Sequence, residues 1–364
     1  MKYRVIFIVF NLKGGGAERV TITLANTLAE RGHKVTMFLF YDENDYPKTL
    51  NEKIKIVTVL PKNYKFRNGI CKVIRMLLNE AKEHDIVVGS LEGWTTLFSW
   101  VAARIRNKIC IAWLHTDLIK YSDIRWNYFF RFVFTFPYNY IDKTVCVSDG
   151  VKSSLLGLLN KNICTRVIYN PLFISQYSEK NASSLIPIVL GVGRLENKTK
   201  GFDFLIKAHS KLINDGLLHR LVIVGEGDDR KLLEELVRKE GVQNTVSLPG
   251  FVRNISEFYN NADIFVLSSR FEGLGMVILE AMSYGIPVVA TDCKSGPREI
   301  LCGNEYGELV APNSVDALAA GIKKLLEDEN LRKSLSKKGL ERVKDFEPDF
   351  IAQKWEQVFN ETCR

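Results

Sequence analysis

The feature that most constrains the fold is a repeated alternation of short apolar strands and amphipathic helices. In the first half, the β-rich runs are "YRVIFIVF", "KVTMFLF", "DIVVGS", "KICIAWLH", "TVCVS" and "RVIYNP". Helical patterns such as "AERVTITLANTLAERG" separate them. Strands that are buried on both faces are continuously apolar, and parallel strands need helical crossovers. The pattern therefore predicts a doubly wound, parallel α/β sheet.

The same rhythm restarts in the second half with "IPIVLGVG", "HRLVIVGEG", "TVSLPG", "DIFVLSS" and "PVVATD". The polar stretch that follows Asn170-Pro171, through "SQYSEKNASS", is typical of a linker. We therefore expect two Rossmann-like domains, residues 1–170 and 171–345, with a cleft where the carboxyl ends of their strands face each other. Residues 346–364 form a final amphipathic helix, which we expect to return to the N-terminal domain.

Composition excludes several classes of protein. The chain has 364 residues, of which 46% are hydrophobic and 25% charged, as in ordinary globular proteins. The start, "MKYRVIFIVF", has too short an apolar stretch for a signal peptide, and no run approaches the roughly 18 apolar residues of a membrane span. The seven cysteines contain no C-x-x-C pair, which favours a reducing cytoplasm over a disulfide framework.

The net charge of +8 is concentrated in the first half. Residues 1–170 contain 25 Lys and Arg against 14 Asp and Glu, whereas residues 171–364 contain 25 against 28. Such asymmetry indicates an anionic partner for the first half. Nucleic acid is not expected, because no helix-turn-helix, zinc or RNP-like pattern is present.

An anionic membrane surface fits the charge better. "KNYKFRNGICKVIRMLLNEAKEH" spaces apolar residues as on one face of an interfacial helix and surrounds them with Lys and Arg. That face consists of Ile70, Val73, Ile74, Leu77 and Leu78. "RWNYFFRFVFTFPYNY" adds aromatic and basic residues. We predict peripheral membrane binding; alternatively, the helix packs on the sheet and the aromatic side chains fill the core.

The stretch "SSRFEGLGMVILEAMSYGIPVVAT", residues 268–291, carries the first chemical signal. It predicts a strand over 263–269, a loop over 270–275 and a helix from Met276. Glu272 then lies at the carboxyl end of a strand, and the free N–H groups around Gly275 to Val277 suit a phosphate. Glu280, one turn further, could accept hydrogen bonds from the vicinal diol of a ribose. Alternatively, it is bonded to a backbone or Arg group in the core.

A second signal comes from "GVGRLENKTKGFDFLI", which puts Arg194 after one strand and Lys200 before a helix. Two cations near a helix N-terminus can neutralise a diphosphate without a metal ion. Taken alone, they could equally be a solvated pair. Together with Glu272 and Glu280 they indicate a site for a nucleotide diphosphate-sugar. The absence of D-x-D from the chain favours a metal-independent site.

This combination resembles the family-4 retaining glycosyltransferases of the GT-B fold. The resemblance covers nearly the whole chain and includes "GGGAERV", "GVGRL", "KGFDFLI", "VIVGEGDDR" and "LPGFVRN". Its most specific part is E-x7-E in "FEGLGMVILEAM". The family pattern has Lys five residues after the Arg, whereas Lys200 is six residues after Arg194, so Lys198 is an alternative.

The resemblance implies a role for each matching residue. Glu272 would contact hydroxyls of the donor sugar and Glu280 the ribose, while Arg194 and Lys200 would hold the diphosphate. The remaining positions are Gly275, Met276 and Val277 at the diphosphate, Glu226, Val252 and Arg253 around the nucleoside, Gly15 and Gly16 near the donor phosphate and acceptor, and His115 near the sugar. Each also has a plain structural interpretation, such as a tight turn for the glycines.

The implied reaction is transfer of a hexose or N-acetylhexosamine from a UDP-sugar, with retention at the anomeric carbon and without a metal ion or cofactor. The implied acceptor is a saccharide, such as an undecaprenyl-diphosphate glycan of bacterial surface polysaccharide or O-antigen synthesis. The enzyme would lie in the cytoplasm, peripheral on the inner face of the membrane. The alternatives are a nucleotide-sugar 2-epimerase and a non-catalytic nucleotide-sugar-binding protein. A dehydrogenase is disfavoured, because G-x-G-x-x-G is absent.

Overall fold

The computed structural model describes residues 1–45, 49–118, 128–159, 161–172 and 186–363. The chain forms two compact units. The first unit comprises Met1–Phe173 and Phe346–Arg364, and the second comprises Ile174–Asp345. Most of the predicted linker after Pro171 lies outside the described residues.

The described part of the first unit contains a parallel sheet with the order β3-β2-β1-β4-β5-β6-β7. Its strands are β1 (Arg4–Val9), β2 (Lys34–Tyr41), β3 (Lys55–Leu60), β4 (Ile86–Gly89), β5 (Ile109–Leu114), β6 (Lys143–Cys146) and β7 (Thr165–Val167). β1 pairs in parallel with both β2 and β4. The strand order therefore reverses between β1 and β4, which is the switch point where such sheets bind ligands.

Helices connect these strands. They are α1 (Gly16–Glu30), α2 (Phe66–Ala81), α3 (Trp94–Arg106), α4 (Tyr128–Thr135) and α5 (Asp149–Leu159), with a 3-10 turn at Phe136–Asn139. α3 contacts both α2 and α4. The apolar strands β1, β2, β4 and β5 are almost completely buried, which is why their sequences read as continuous hydrophobic runs.

The second unit has a parallel sheet with the order β10-β9-β8-β11-β12-β13. Its strands are β8 (Ile188–Val192), β9 (Arg220–Val224), β10 (Val246–Gly250), β11 (Ile264–Leu267), β12 (Val288–Thr291) and β13 (Glu308–Val310). β8 pairs in parallel with β9 on one side and β11 on the other. The switch point of this sheet is therefore between β8 and β11.

The helices of the second unit cover its sheet and include two short ones near the strand ends. They are α6 (Asn197–Lys200), α7 (Phe202–Asn214), α8 (Arg230–Lys239), α9 (Ser256–Asn261), α10 (Met276–Ser283), α11 (Pro297–Leu301), α12 (Val315–Glu327) and α13 (Glu329–Arg342). A 3-10 turn at Val343–Phe346 follows. α7 and α12 pack together over a core of buried aliphatic side chains.

The last helix, α14 (Pro348–Thr362), belongs to the first unit and packs against α1. Trp355 is fully buried, with its ring centroid 4.9 Å from that of Trp113 in β5. Glu356 forms an ion pair with Arg31 at 2.7 Å and contacts the ring of His33 at 2.9 Å. These contacts make α14 part of the core of the first unit.

The predicted pair of doubly wound parallel sheets is confirmed. The prediction missed three short or partly exposed elements. β3, β13 and α11 were not predicted, because β3 and β13 are partly exposed and α11 has only five residues. The structure buries Val73 and Leu77 of α2 inside the protein, whereas Ile70, Ile74 and Leu78 of the same stripe are only partly buried. Membrane binding through this stripe stays a prediction. Among the described residues, no helix combines the length and apolar character needed to cross a bilayer.

Candidate functional site

Glu272 lies in the loop between β11 and α10, where the sequence predicted it. Its Oε1 atom accepts hydrogen bonds from Lys200 Nζ and from Ser269 Oγ, both at 2.6 Å. The side chains of Lys200 and Glu272 are 23% and 11% exposed, so the pair is largely sheltered from solvent. Because Lys200 follows β8 and Glu272 follows β11, this ion pair spans the switch point of the second sheet.

The loops after β8 and β11 are held together by Arg270. Its guanidinium donates to both carboxylate oxygens of Asp203, at 2.8 and 3.0 Å, and lies 4.4 Å from the ring centroid of Phe204. Its backbone N–H donates to the carbonyl of Thr199 at 2.8 Å. Gly201 completes this junction, because its φ is +61° and a Cβ there would lie 2.3 Å from the carbonyl oxygen of Ser268. The arrangement fixes Lys200 beside Glu272.

The start of α10 is shaped for an anion. Gly275 precedes the helix with a φ of +92°, which favours glycine, and no side chain among the described residues caps the helix there. The backbone N–H groups of Met276 and Val277 belong to the first turn, where a helix has no internal acceptors. Both residues are partly exposed, so an anion could reach this end of the helix.

Glu280 has a partner that the sequence did not reveal. Its Oε2 atom accepts a hydrogen bond from the hydroxyl of Tyr259 at 2.9 Å. Tyr259 is buried and stacks on Tyr284, with ring centroids 5.1 Å apart. Glu280 is only partly buried, so the carboxylate is held in place by Tyr259 and still reaches the surface of the helix. Tyr259 comes from α9 and was not identified from sequence.

The other predicted residues of the second unit are less enclosed. Arg194 and Lys198 are exposed and have no ion-pair partner in the described ranges, so Lys200 alone of the three cations contacts Glu272. Glu226 is exposed and forms an ion pair with Arg230 at 2.8 Å. Of the two residues predicted after β10, Val252 is half-buried and Arg253 is exposed. These side chains lie after β8, β9 and β10, at the same edge of the sheet.

Cys293 is a buried cysteine near Glu272, and its thiol is not activated. Burial, with the charge of Glu272 nearby, raises the pKa of its thiol to about 12. Such a group stays protonated near neutral pH and is a poor nucleophile. Across the described segments, no cluster of three or more His, Cys, Asp or Glu has the arrangement of a metal site.

In the first unit, Gly15 and Gly16 form the start of α1, after β1. Gly15 is the residue before the helix, and a Cβ added to Gly16 would meet no atom within 4 Å. The N-terminus of α1 is therefore open at Gly16, and the role of both glycines in binding stays a prediction.

His115 follows β5, and burial lowers the pKa of its imidazole to about 3, so the ring is neutral at physiological pH. Its backbone N–H and that of Thr116 both donate to Glu92 Oε1, at 2.6 and 2.7 Å. Burial raises the pKa of the Glu92 carboxyl. Glu92, in the turn after β4, therefore fixes the backbone that carries His115, a role for which the sequence held no signal.

Two family models match the chain. The model "Glycosyltransferase Family 4" matches residues 14–175, and "Glycosyl transferases group 1" matches residues 176–342. An uncharacterized glycosyltransferase of Methanocaldococcus jannaschii is 30% identical over 69% of this chain and 72% of its own. The GalNAc-alpha-(1->4)-GalNAc-alpha-(1->3)-diNAcBac-PP-undecaprenol alpha-1,4-N-acetyl-D-galactosaminyltransferase of Campylobacter jejuni is 27% identical over 98% of both chains.

Among solved structures, Anabaena Alr3699/HepE in complex with UDP-glucose superposes with a TM-score of 0.84. It is 22% identical and covers 99% of this chain and 100% of its own, a likeness that identifies the fold. The Rossmann-like units observed above agree with this match. On the sequence and fold matches together, the chain belongs to glycosyltransferase family 4 and has the GT-B fold.

Proposed function

We propose that this protein is a retaining, metal-independent glycosyltransferase that moves a hexose or N-acetylhexosamine from a UDP-sugar to a saccharide acceptor. The observation that carries the proposal is the Lys200–Glu272 pair beside the open start of α10, at the switch point of the second sheet. A cation, a helix N-terminus and a carboxylate at this position match the diphosphate and the sugar hydroxyls of such a donor.

The donor would bind along the carboxyl edge of the second sheet. Lys200 and Arg194, with the N–H groups of Met276 and Val277, would hold the diphosphate, and Glu272 would accept hydrogen bonds from the sugar. Glu280, fixed by Tyr259, would accept from the ribose hydroxyls. The exposed residues Glu226 and Arg253, with Val252, would lie around the nucleoside. The complex of HepE with UDP-glucose supports a UDP-linked donor.

The chemical step would be a front-face displacement. The bond between the anomeric carbon and the UDP oxygen breaks with its electron pair going to UDP, while the acceptor oxygen bonds to the same face of that carbon. The acceptor hydroxyl proton passes to a diphosphate oxygen. Charge grows on the leaving diphosphate, and Lys200, Arg194 and the helix start would stabilise it. The roles of neutral His115 and of Gly15 and Gly16 at the sugar and acceptor stay predictions.

The proposed acceptor is a lipid-linked saccharide, such as an undecaprenyl-diphosphate glycan. The Campylobacter jejuni relative, named for transfer to an undecaprenol-linked saccharide, supports this class of acceptor. An enzyme that uses such an acceptor works at a bilayer surface. We therefore propose that this enzyme binds peripherally to the cytoplasmic face of the membrane.

The test is release of UDP from a panel of UDP-sugars in EDTA, with and without a bacterial extract of lipid-linked saccharides. Release that requires the extract and tolerates EDTA is expected. Release without any acceptor would indicate hydrolysis or epimerisation and contradict the proposal, as would loss of activity in EDTA. NMR of the product should show the anomeric configuration of the donor, and the opposite configuration would exclude retention.

A further inference from the structure

The Lys200–Glu272 ion pair engages the same groups that the proposed function assigns to the donor. Glu272 Oε1 accepts two hydrogen bonds, from Lys200 Nζ and from Ser269 Oγ, both at 2.6 Å. A carboxylate oxygen has about two lone pairs, so these two donors fill Oε1 and exclude a sugar hydroxyl from it. Lys200, in turn, directs its charge at Glu272 instead of at a diphosphate. While the pair is intact, each member therefore blocks the other.

The carboxylate is the fixed member of the pair. The backbone carbonyl of Glu272 accepts a hydrogen bond from Ser295 Oγ at 2.5 Å, and the carbonyl of Ser269 accepts one from Thr291 Oγ1, also at 2.5 Å. Ser269, Thr291 and Ser295 are all buried, so these bonds are sheltered from water. None of them involves Lys200. If the lysine side chain moves away, Ser269 still donates to Oε1 and the loop keeps its shape.

The lysine side chain is the mobile member. The backbone of Lys200 is held, because its N–H donates to the carbonyl of Glu196 at 2.8 Å and its carbonyl accepts from Ser268 Oγ at 2.9 Å. The side chain crosses Gly193, where an added Cβ would lie 3.4 Å from Cδ and 3.5 Å from Cε of Lys200. It is 23% exposed and consists of a flexible aliphatic stem. Rotation of this stem moves the ammonium without moving the loop.

We propose that the Lys200–Glu272 pair is a gate that the diphosphate of the donor opens. This inference rests on the proposed function and adds how the donor site regulates itself. The diphosphate draws the ammonium of Lys200 away from Glu272, because it carries more negative charge than one carboxylate. Oε1 of Glu272 is then free to accept a hydroxyl of the sugar. The sugar is recognised only with the diphosphate in place, so the two parts of the donor bind cooperatively.

The alternative to a gate is a lysine that bridges the two anions. An ammonium has several N–H donors, so Lys200 could contact Glu272 and a phosphate at the same time. The two arrangements predict opposite effects of removing the charge of Glu272. In a gate, Glu272 competes with the diphosphate for Lys200, so removing its charge tightens diphosphate binding. In a bridge, Glu272 holds Lys200 toward the phosphate, so removing its charge weakens diphosphate binding.

The test is calorimetric titration of the full chain with UDP and, separately, with pyrophosphate, in EDTA. Glu272→Gln keeps the shape of the side chain and removes its charge, and it should bind both ligands roughly five- to tenfold more tightly than the wild type. Glu272→Ala should also bind them more tightly, which keeps the test decisive if the Gln variant does not fold. The matched control is Glu308→Gln, because Glu308 also contacts a lysine at 2.6 Å and is 13% exposed, but begins β13 at its amino end. This control should bind as the wild type does.

A double-mutant cycle separates competition for Lys200 from simple repulsion between Glu272 and the ligand. Lys200→Met should weaken UDP binding about tenfold, because a charge-assisted hydrogen bond to the diphosphate is lost. In this background, Glu272→Gln should change the affinity for UDP by at most about twofold, since no lysine is left to release. Repulsion alone would give the same gain with and without Lys200.

Three results would overturn the gate. They are UDP affinity that Glu272→Gln leaves unchanged or weakens, an equal gain in the Lys200→Met background, and an equal gain in Glu308→Gln. In each of these the wild type still binds UDP, so the proposed function survives. A wild type that binds neither UDP nor pyrophosphate would instead remove the donor site, and the gate with it. Tighter binding by Glu272→Gln, in a protein whose wild type transfers sugar to no acceptor, would support the gate and contradict the proposed transferase.

Discussion

Replacing Lys200 by alanine tests the ion pair at the centre of the donor site. The substitution removes a cation 2.6 Å from Glu272 Oε1 and leaves that largely buried carboxylate with the hydroxyl of Ser269. Loss of one charge-assisted hydrogen bond costs about 1–3 kcal/mol of folding stability, so the melting temperature should fall by about 2–12 °C. Loss of one group that stabilises the leaving diphosphate should lower kcat by one to three orders of magnitude, about 1.4–4 kcal/mol.

The matched control is Lys198→Ala, because Lys198 is in the same short helix but is exposed and does not contact Glu272. Its kcat should stay within about twofold of the wild-type value. The assay is initial-rate UDP release with the best donor and acceptor, beside thermal unfolding of each variant. A folded Lys200→Ala variant that turns over at the wild-type rate, or a Lys198→Ala variant that loses as much activity as Lys200→Ala, would contradict this role of Lys200.

The remaining predictions concern three other groups of the second unit. Glu272→Ala should lower turnover by one to three orders of magnitude with the fold intact, and a wild-type rate in the folded variant would remove Glu272 from the site. Tyr259→Phe should weaken UDP binding by about two- to tenfold in calorimetry, because Glu280 loses the donor that fixes it; unchanged affinity would contradict the role of Glu280 at the ribose. In the buried pair His209 and His219, Nδ1 of His209 is 2.8 Å from Nε2 of His219, and burial lowers the pKa of His209 to about 3 and also lowers that of His219. Since the unfolded chain takes up these protons first, their contribution to stability is complete above about pH 6.5 and is lost as the pH falls, by roughly 1.4 kcal/mol per pH unit for His209 below that pH, with a further loss in the same direction from His219. Thermal unfolding between pH 7.5 and 5 should show this slope, and a folded His209→Gln variant with the wild-type slope would argue against it.

The fold was predictable where a local pattern and burial agree. β1 and β2 are buried on both faces, so their apolar runs identify them without tertiary information. β3 and β13 escaped prediction because partly exposed edge strands lack that pattern. The amphipathic character of α2 was predicted correctly, but amphipathicity does not specify what the apolar face contacts, and the structure buries Val73 and Leu77 in the protein while Ile70, Ile74 and Leu78 stay partly exposed.

The candidate site was predictable where its residues share one segment. The loop containing Glu272 and the start of α10 at Met276 follow from the order of strand, glycines and apolar helix. The partners of these residues could not be predicted, because they come from elements distant in the chain. Tyr259 reaches Glu280 from α9, and Glu92 holds the backbone of His115 from the preceding strand-to-helix turn.

The position of α14 has a consequence for synthesis of the chain on the ribosome. Trp355 and Phe359 complete the core of the first unit, yet they are translated after all of the second unit. At translation rates of about 5–20 residues per second, the roughly 170 intervening residues take about 10–35 s. During that interval Trp113 lacks the ring that covers it in the finished protein. The nascent first unit therefore exposes part of its core until α14 emerges, whereas the second unit has its complete sequence earlier.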